Sequence, residues 1–289
     1  MATCFLLLLA LATAGGPPNA VVILPVANMY SKATEDADVV SQAICGTNVG
    51  IVEEQGDWVK VQTPDNYPGW MPLASLRRLE AGEQPYASSG PIAQVENLFA
   101  NLYRERDVTK HAPLITVPFE TRLELTGNPP AGGEGREGRW LEVRLPDGRQ
   151  AWVQRGDVTL DPKPLTIKET IELAKRFLGD TYLWGGRSSF GFDCSGFTQM
   201  LVRLRGVNMP RDADQQAAWE GVMPVKRNKL KPGDLLFFGS SPDKITHTGM
   251  YIGHGKFIND TTHGHPGVQI GRLKDEPWTK LLVACRRVK

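Results

Sequence analysis

The sequence predicts two small all-β modules followed by an α+β domain, and three observations lead to this fold class. The tryptophan spacing of one β-rich region returns in the next region. Helical patterns then precede a series of β-like segments near the end of the chain, which is the order expected for an α+β domain. Polar or proline-rich stretches at 80–91 and 161–164 separate the three regions and read as linkers.

Composition limits the classes of protein that the chain can represent. Its 289 residues allow two or three domains, and 41% hydrophobic with 22% charged residues is typical of a folded globular protein. The 33 basic and 32 acidic residues leave a net charge of +1, which offers no basic surface for nucleic acid or an anionic membrane. We therefore expect no nucleic-acid partner, no membrane span and a monomer.

The first 14 residues resemble a secretory signal. A short apolar run at 5–11 is followed by small residues, and cleavage is expected after Ala14. The run is too short to span a bilayer, and it lacks the usual preceding Lys or Arg, so a wrongly assigned start is the alternative. This segment predicts a secreted or periplasmic, cell-envelope location.

The first β module is expected at 20–80, with β-like runs at 21–24, 39–45, 49–52, 58–62 and 69–72. The second, at 92–160, is a duplication of the first. Twelve residues separate Trp58 from Trp70 and likewise Trp140 from Trp152, with a Pro-Asp pair inside each interval. The second copy has a Gly- and Pro-rich insertion at 127–138, which predicts a flexible loop. Positions in alternating strands favour core packing over ligand stacking for these tryptophans.

The α+β domain is expected at 164–289. Thr166 and Glu169 form a capping-box pattern at the start of a helix that ends near Gly179. Further helices are predicted at 194–204 and 213–220. Strands are predicted at 235–238, 247–252, 256–259, 268–270 and 282–285.

Cys194 is the candidate nucleophile because it lies in the first turn of a predicted helix, after a glycine-rich run. Unpaired backbone N–H groups and the positive end of the helix dipole favour a thiolate there and lower its pKa. A buried structural cysteine is the alternative. Cys45 and Cys285 lie in apolar β-like runs and are expected in the core, and with Cys194 they make an odd number that does not suggest a disulfide framework.

His247 and Asn259 belong to two β-like runs joined at 253–255. In an antiparallel hairpin turning there, an imidazole and an amide would lie roughly opposite one another. A cysteine, a histidine and a polar group that orients the imidazole are the components of a thiol acyl-transfer site.

Several spaced motifs together resemble the NlpC family of papain-like bacterial cell-wall peptidases. They are Asp193-Cys-Ser-Gly-Phe197, Tyr182-x-Trp-Gly-Gly186, Pro232-Gly-Asp-Leu-Leu-Phe237 and His247-x-Gly-x-Tyr-x-Gly253. The resemblance implies hydrolysis of the γ-D-glutamyl-L-diamino acid bond in peptidoglycan stem peptides (murein tripeptide or tetrapeptide). It implies Cys194 as nucleophile, His247 as base, Asn259 as the orienting residue in place of the more frequent histidine, and Tyr182 as an oxyanion donor.

Each β module resembles a bacterial SH3-like barrel, and the combination with the peptidase domain implies further substrate-binding residues. In family members with such barrels, residues matching Asp193 and Ser195 help to hold the free amine of an N-terminal L-Ala. Arg211 and Asp212 match an element that lines the groove, although a solvated pair is the alternative. Tyr67 is the candidate first-barrel tyrosine, and the further substrate-binding candidates are Trp184, from the same glycine-rich motif as Tyr182, and the first-barrel acid Glu35.

Three other histidines invite a metal interpretation: His254, His263 and His265. No carboxylate or thiolate completes a ligand set around them in the sequence, so no metal and no cofactor are expected. Two other functions remain open at this point. One is a wall-binding protein with an inactive peptidase-like domain, and the other is an amidase or acyltransferase on the same fold.

Overall fold

The computed structural model describes residues 17–127 and 138–289. The expected signal segment at 1–14 lies outside the described residues, as do residues 128–137 of the second-copy insertion. Within the two described ranges, no helix combines the length and the apolar character needed to cross a membrane.

The first β module is a single antiparallel sheet. Its seven strands within the described ranges are β1 (Ala20–Val22), β2 (Val26–Tyr30), β3 (Val39–Ile44), β4 (Asn48–Gln55), β5 (Trp58–Gln62), β6 (Pro68–Pro72) and β7 (Leu76–Arg78). They lie in the order β3-β2-β6-β5-β4-β1-β7. Alternate strand residues such as Val59, Val61 and Met71 point inward and form its apolar core. We call this module barrel 1.

The second module, barrel 2, repeats this arrangement. Its seven described strands are β8 (Ile92–Val95), β9 (Phe99–Tyr103), β10 (Ile115–Pro118), β11 (Arg122–Leu125), β12 (Trp140–Arg144), β13 (Gln150–Gln154) and β14 (Val158–Thr159). Their order, β10-β9-β13-β12-β11-β8-β14, is that of barrel 1 with every strand number raised by seven. The predicted duplication is therefore present in the topology as well as in the tryptophan spacing.

The barrel tryptophans were expected to pack in the cores, and this holds in part. Trp70 and Trp140 are buried, whereas Trp58 and Trp152 are half-buried. Trp58 packs edge-on against Tyr30 at 5.5 Å between ring centroids. In barrel 2, Trp140 packs edge-on against Tyr103 at the same centroid distance of 5.5 Å.

The third domain has four helices and eight strands within the described residues. They are α1 (Ile167–Ala174), β15 (Arg187–Ser188), β16 (Gly191–Phe192), α2 (Cys194–Arg203), α3 (Ala213–Ala218), β17 (Val222–Pro224), β18 (Leu235–Ser241), β19 (Lys244–Gly253), β20 (Lys256–Thr261), β21 (Gly267–Arg272), α4 (Trp278–Leu281) and β22 (Leu282–Val288). Six of the strands form an antiparallel sheet in the order β17-β22-β18-β19-β20-β21. The predicted α+β fold class is confirmed.

The capping box predicted for α1 is present. Thr166 accepts a hydrogen bond from the backbone of Glu169, whose side chain accepts one from the backbone of Thr166. The α-helix ends at Ala174, earlier than the predicted end near Gly179, because one turn of 3-10 helix continues the chain to Phe177. Helix α4 was not predicted, since a four-residue helix carries no periodic signal.

Two apolar clusters cover the two faces of the six-stranded sheet. On one face Met250 and Ile258 pack with residues of α2 such as Phe197, and barrel 2 contributes Phe119 to the same cluster. On the other face Phe257 packs with Trp278. Cys45 and Cys285 are buried free thiols, as expected.

Candidate active site

Cys194 is the first residue of α2, and Asp193 is its N-cap. The Asp193 Oδ1 accepts a hydrogen bond of 2.7 Å from the backbone N–H of Gly196, which satisfies one of the free donors at the helix start. Gly196 must lack a side chain, because a Cβ there would lie 2.2 Å from the Gly186 carbonyl oxygen. The glycine-rich run and the helix start are thus packed backbone to backbone around the thiol, which is 8% exposed.

A buried guanidinium holds this cap in place. Arg211, only 1% exposed, donates from Nη2 to Asp193 Oδ2 at 2.6 Å and from Nη1 to Asp193 Oδ1 at 3.0 Å. It also donates to the Ser195 hydroxyl at 2.7 Å and to Ser41 of barrel 1 at 3.2 Å. The alternative of a solvated pair is therefore wrong for Arg211, because its guanidinium is enclosed between two domains.

Asp193 has little remaining capacity for a ligand. Its two oxygens accept hydrogen bonds from Gly185 and Gly196 N–H groups, from the Ser195 hydroxyl and twice from Arg211. A carboxylate offers about four lone-pair sites. Asp193 therefore positions the nucleophile helix, and its charge reaches the neighbouring groups through space.

His247 and Asn259 are brought together as a hydrogen-bonded pair. The His247 Nε2 and the Asn259 Oδ1 are 2.8 Å apart. The Asn259 Nδ2 donates to the Gln269 carbonyl oxygen at 3.1 Å, which fixes the amide with its oxygen toward the imidazole. Nε2 then carries the proton, and Nδ1 is left as the acceptor for a thiol proton.

His247 and Asn259 are diagonal neighbours on β19 and β20, and not directly opposite one another as expected from the sequence. The register pairs Met250 with Ile258, so that extending it by one residue places Gly249 opposite Asn259. A Cβ on Gly249 would lie 2.9 Å from the Asn259 Cβ. The glycine of the His-x-Gly motif therefore leaves room for the His247 ring to reach the amide.

No sequence pattern indicates the residues that enclose this pair. The Trp278 ring stacks on the His247 ring at 5.0 Å with an interplanar angle of 28°, and Phe238 packs against the imidazole at 5.6 Å. Both enclosing rings are buried, and Asn259 has no exposed surface. The imidazole is thus held in one orientation and partly shielded from water.

The thiol and the imidazole are neighbours through the strand that carries His247. The backbone N–H of Thr248, the next residue, is hydrogen-bonded to the Cys194 thiol and lowers its pKa. Helix α2 packs on β19 and β20, so the nucleophile faces the strand pair that holds the base. Cys194, His247 and Asn259 therefore lie in one site, as in a Cys-His-Asn thiol hydrolase.

Burial determines the protonation states of Cys194 and His247, and it reverses the expected lowering of the thiol pKa. Burial, reinforced by the Asp193 charge, raises the pKa of the Cys194 thiol to about 12, although the helix start and the Thr248 N–H oppose this. Burial also lowers the pKa of His247 to about 4. The prediction of a lowered thiol pKa was wrong because desolvation outweighs the helix terminus. The resting pair is a thiol beside a neutral imidazole.

Tyr182 lies next to the nucleophile. Its backbone forms a bridge with Phe192, two residues before Cys194. Burial and the nearby Cys194 and Asp193 raise the pKa of its hydroxyl, which stays protonated and able to donate. The position is compatible with the oxyanion role that the family resemblance implies.

Barrel 1 extends one side chain into the site. The Tyr67 hydroxyl donates to Asp212 Oδ2 at 3.1 Å, and burial raises the pKa of the Asp212 carboxyl. Trp184 is 69% exposed, which leaves its ring free for a ligand. Glu35 is exposed in the segment between β2 and β3, and no hydrogen bond from it is found within the described residues. The structure thus joins Tyr67 to the site and leaves Glu35 without such a contact.

The histidines considered for metal binding do not form a ligand set. Within 17–127 and 138–289, no three His, Cys, Asp or Glu side chains are grouped closely enough to hold a metal ion. His263 instead packs edge-on against Trp278 at 5.5 Å.

A six-stranded antiparallel sheet with a cysteine at a helix start and a His-Asn pair on adjacent strands defines a papain-like thiol hydrolase. The NlpC/P60 family matches residues 179–287, and the bacterial dipeptidyl-peptidase Sh3 domain matches residues 29–76. A γ-D-glutamyl-L-lysine dipeptidyl-peptidase of Bacillus subtilis is 32% identical over 263 residues, covering 87% of this chain and 82% of the relative. The chain belongs to the NlpC/P60 family of cysteine peptidases.

Two further relatives agree with this assignment. A γ-D-glutamyl-L-lysine dipeptidyl-peptidase of Bacillus cereus is 36% identical over 236 residues, covering 76% of this chain and 66% of the relative. A crystal structure of an NlpC/P60 family protein from Bacillus cereus superimposes with a TM-score of 0.78 at 27% identity, covering 93% of this chain and 99% of that one. The similarity therefore includes the barrels as well as the catalytic domain.

Proposed function

We propose that this protein is a cysteine endopeptidase that hydrolyses the γ-D-glutamyl-L-diamino acid bond of peptidoglycan stem peptides with a free N-terminal L-Ala. The observation that carries the proposal is the His247–Asn259 pair beside Cys194, with Tyr67 of barrel 1 reaching Asp212 at the same site. The names of the Bacillus relatives support the bond that is cut.

The geometry supports a two-stage acyl transfer. His247 Nδ1 takes the Cys194 proton as the sulfur attacks the γ-carbonyl carbon of D-Glu, because the resting thiol is protonated. The Tyr182 hydroxyl and the Cys194 backbone N–H donate to the developing oxyanion, and one such donor is worth about 3 kcal/mol. The imidazolium then protonates the leaving amine, and water, activated by His247, releases the acyl group and restores the thiol.

Substrate length is set by the contact between the domains. Asp212, with Tyr67 above it, supplies the negative charge for a terminal ammonium, and Asp193 adds its field from behind the nucleophile helix. We assign Ser195 and Arg211 to positioning this pocket and Trp184 to covering the bound peptide. Glu35 stays the candidate for a second acid from barrel 1. Peptides that are still joined to glycan lack the free amine, so we infer that released stem peptides are the substrates.

The location follows from the substrate and the first residues of the chain. A family of cell-wall hydrolases acts outside the cytoplasm, and we infer that residues 1–14 are a signal segment that directs this chain to the envelope or the medium. Detection of a mature chain beginning at Gly15 would support this inference, and retention of residues 1–14 in the active protein would contradict it.

The test is mass spectrometry of L-Ala-γ-D-Glu-L-Lys peptide, with and without an N-terminal acetyl group, after incubation with wild type and Cys194→Ala. We expect the wild type to release L-Ala-γ-D-Glu from the free-amine peptide only, and the variant to release nothing. Cleavage by Cys194→Ala would refute the thiol mechanism. Equal cleavage of the acetylated peptide would refute the amine pocket. An inactive wild type would favour a wall-binding role.

A further inference from the structure

Two carboxyl groups of the catalytic domain have buried side-chain oxygens without a hydrogen-bond partner among the described residues. Asp260 has no exposed surface, and neither of its side-chain oxygens is paired. Asp180 lies half-buried, and its Oδ2 is buried and unpaired while Oδ1 accepts from the Thr181 N–H at 3.1 Å. Buried carboxyl groups are ordinarily paired with a cation or with several donors, so these two require an explanation.

Asp260 lies on the side of the sheet that faces α2. Asp260 follows Ile258 by two residues on β20, and Ile258 packs with α2, so Asp260 points to the same face. Extending the pairing of Met250 with Ile258 by two residues places Thr248 opposite Asp260. The Thr248 N–H is hydrogen-bonded to the Cys194 thiol, and the Thr248 hydroxyl is itself buried and unpaired. Asp260 is therefore one strand away from the residue that contacts the nucleophile.

The backbone places Asp180 beside Asp260. Val268 donates its N–H to the Asp180 carbonyl oxygen at 2.9 Å, and Val268 is also the residue that pairs with Asp260 across the strands β20 and β21. A Cβ on Gly267 would lie 2.4 Å from the same carbonyl oxygen, so the contact is tight. The two aspartates flank a single strand residue.

Negative or neutral groups surround this pair. Asp180 and Tyr182 precede β15, Asp193 and Cys194 begin α2, and β19 contributes the uncharged Thr248. The nearby cation is Arg211, whose donors are directed to Asp193, Ser195, Gly186 and Ser41. Arg211 forms its salt bridge with Asp193. Across 17–127 and 138–289, no Lys, Arg or His side chain forms a salt bridge with Asp180 or Asp260.

Two adjacent carboxyl groups without a cation cannot both ionise at low cost, so one proton stays with the pair. Burial, followed by the charge of Asp180, raises the pKa of the Asp260 carboxyl to about 8. Burial raises the pKa of Asp180 to about 6. The direction agrees with the geometry: the fully enclosed member holds the proton.

We propose that Asp260 and Asp180 form a proton-sharing carboxyl pair behind the nucleophile, in which neutral Asp260 keeps a negative charge away from Tyr182 and Cys194. The neutral acid can donate its proton to Asp180 and adds no charge. Once Asp260 is ionised, it adds a negative charge beside Tyr182 and Cys194, which opposes both the thiolate and the oxyanion. The proposal rests on the proposed function only where peptide cleavage is the readout.

The experiment compares wild type with Asp260→Asn, Asp180→Asn and the exposed control Asp243→Asn between pH 5 and pH 9.5. Two rates are measured at each pH: kcat/KM for L-Ala-γ-D-Glu-L-Lys and the alkylation of Cys194 by iodoacetamide. An amide mimics the neutral acid, so the ratio of the Asp260→Asn rate to the wild-type rate should be near one at pH 6. It should rise by about tenfold as the pH passes 8. Asp243→Asn should match wild type throughout.

Asp180→Asn should move the alkaline decline of kcat/KM to lower pH, whereas Asp260→Asn should remove the part of this decline that Asp260 causes. Removing the Asp180 charge lowers the pKa of Asp260, so the alkaline decline of kcat/KM should begin roughly one pH unit earlier than in wild type. A residue that merely fills space would not shift this profile.

Thermal unfolding gives a readout that needs no substrate. The unfolded carboxyl ionises near pH 4, whereas folded Asp260 keeps its proton until about pH 8, so wild type loses stability as the pH rises between these values. Asp260→Asn should therefore have the wild-type Tm at pH 4 and a higher Tm at pH 8.

Three results would overturn the proposal. A rate ratio that is constant with pH would reduce Asp260 to a structural role. A KM increase for Asp260→Asn with lysine but not with alanine as the third residue would show a cation subsite instead. A Tm difference independent of pH would show that the carboxyl is not neutral in the folded protein. If wild type cleaves no peptide, the proposed function fails, while alkylation and Tm still decide on the carboxyl pair.

Discussion

The two barrels have the same strand order, yet they contact the catalytic domain in different ways. Barrel 1 brings polar groups to the site, where Ser41 accepts from Arg211 and Tyr67 donates to Asp212. Barrel 2 inserts an apolar side chain, Phe119, which packs edge-on against Phe177 at 5.5 Å. The duplicated fold is thus a scaffold, and the role of each copy depends on the side chains at its contact with the peptidase domain.

Equivalent positions in the loops before Trp70 and Trp152 show how this difference is produced. In barrel 1, Asp65 and Tyr67 reach outward, and Asp65 Oδ2 accepts from Gln199 of α2 at 2.8 Å. In barrel 2 the corresponding residues are Asp147 and Arg149, which pair with each other at 2.8 Å. The barrel 1 loop thus contacts the catalytic domain, whereas the barrel 2 loop pairs internally and contacts barrel 1, where Arg77 donates to the Pro146 carbonyl oxygen at 2.6 Å.

The largest expected effect concerns two arginines of the catalytic domain that contact the barrels, Arg211 at Ser41 of barrel 1 and Arg203 at Glu120 of barrel 2. Arg211→Ala leaves Asp193 charged and buried, so we expect a loss of about 3–5 kcal/mol in the free energy of unfolding. Arg203→Ala breaks the pair of α2 with Glu120 of barrel 2, which is partly exposed, and should cost about 2 kcal/mol. Urea unfolding of both variants measures the difference, and equal losses would contradict the unequal attachment.

The pH dependence separates catalysis from the barrels. The groups that set the pKa of His247 belong to the catalytic domain: burial by its neighbours, Asn259, Asp193 and His263. The base must be neutral, so kcat/KM should be retained at pH 5 and fall about tenfold per unit below pH 4. The profile of kcat/KM between pH 3 and pH 7 should be the same in Tyr67→Phe and in wild type. If the acid decline of kcat/KM occurs at a different pH in Tyr67→Phe, barrel 1 also affects the pKa of His247.

Tyr67→Phe should affect binding and leave the chemical step unchanged. Loss of the hydrogen bond to Asp212 is expected to raise KM for the free-amine peptide about fivefold, the equivalent of about 1 kcal/mol, at constant kcat. Arg149→Ala, at the equivalent position of barrel 2, is the matched control and should leave both constants unchanged. If both variants raise KM alike, the effect comes from barrel stability and the pocket is disproved.

The smallest effect is expected at Glu35. This carboxylate is exposed, and an exposed charge contributes little to binding, so Glu35→Gln should raise KM by about twofold for the free-amine peptide. Glu105→Gln changes an acid of the corresponding loop in barrel 2 and should have no effect. Steady-state kinetics at low ionic strength gives the most sensitive comparison. An increase of tenfold or more would mean that the loop closes over the substrate.

Sequence patterns predicted most of the fold because each carries its own physical cause. Tryptophan spacing revealed the duplication, and the Thr166–Glu169 pattern located α1. Cys194, His247 and Asn259 were recognised from helix and hairpin patterns, and His247 and Asn259 are hydrogen-bonded in the structure. These signals are local, and local order is what periodicity and capping encode.

Long-range contacts and burial could not be predicted in this way. Nothing in the spacing of Ser41, Asp193 and Arg211 indicates that they share one network across 170 positions. The predicted lowering of the Cys194 pKa was wrong for the same reason, because burial of the thiol depends on several distant segments of the chain. Trp278 and Asp260 carry no motif. Helix α4 brings Trp278 onto the His247 ring, and strand register places Asp260.

The link from Ser41 through Arg211 to the cap of α2 has a consequence for the order in which a newly made chain becomes active. Domains fold as they leave the ribosome, N-terminal ones first, so Ser41 is in place before Arg211 is synthesised. Arg211, which braces the Asp193 cap of the nucleophile helix, then docks on a barrel surface that already exists. The complete network around the thiol is therefore formed only after the catalytic domain has been synthesised and has docked on barrel 1.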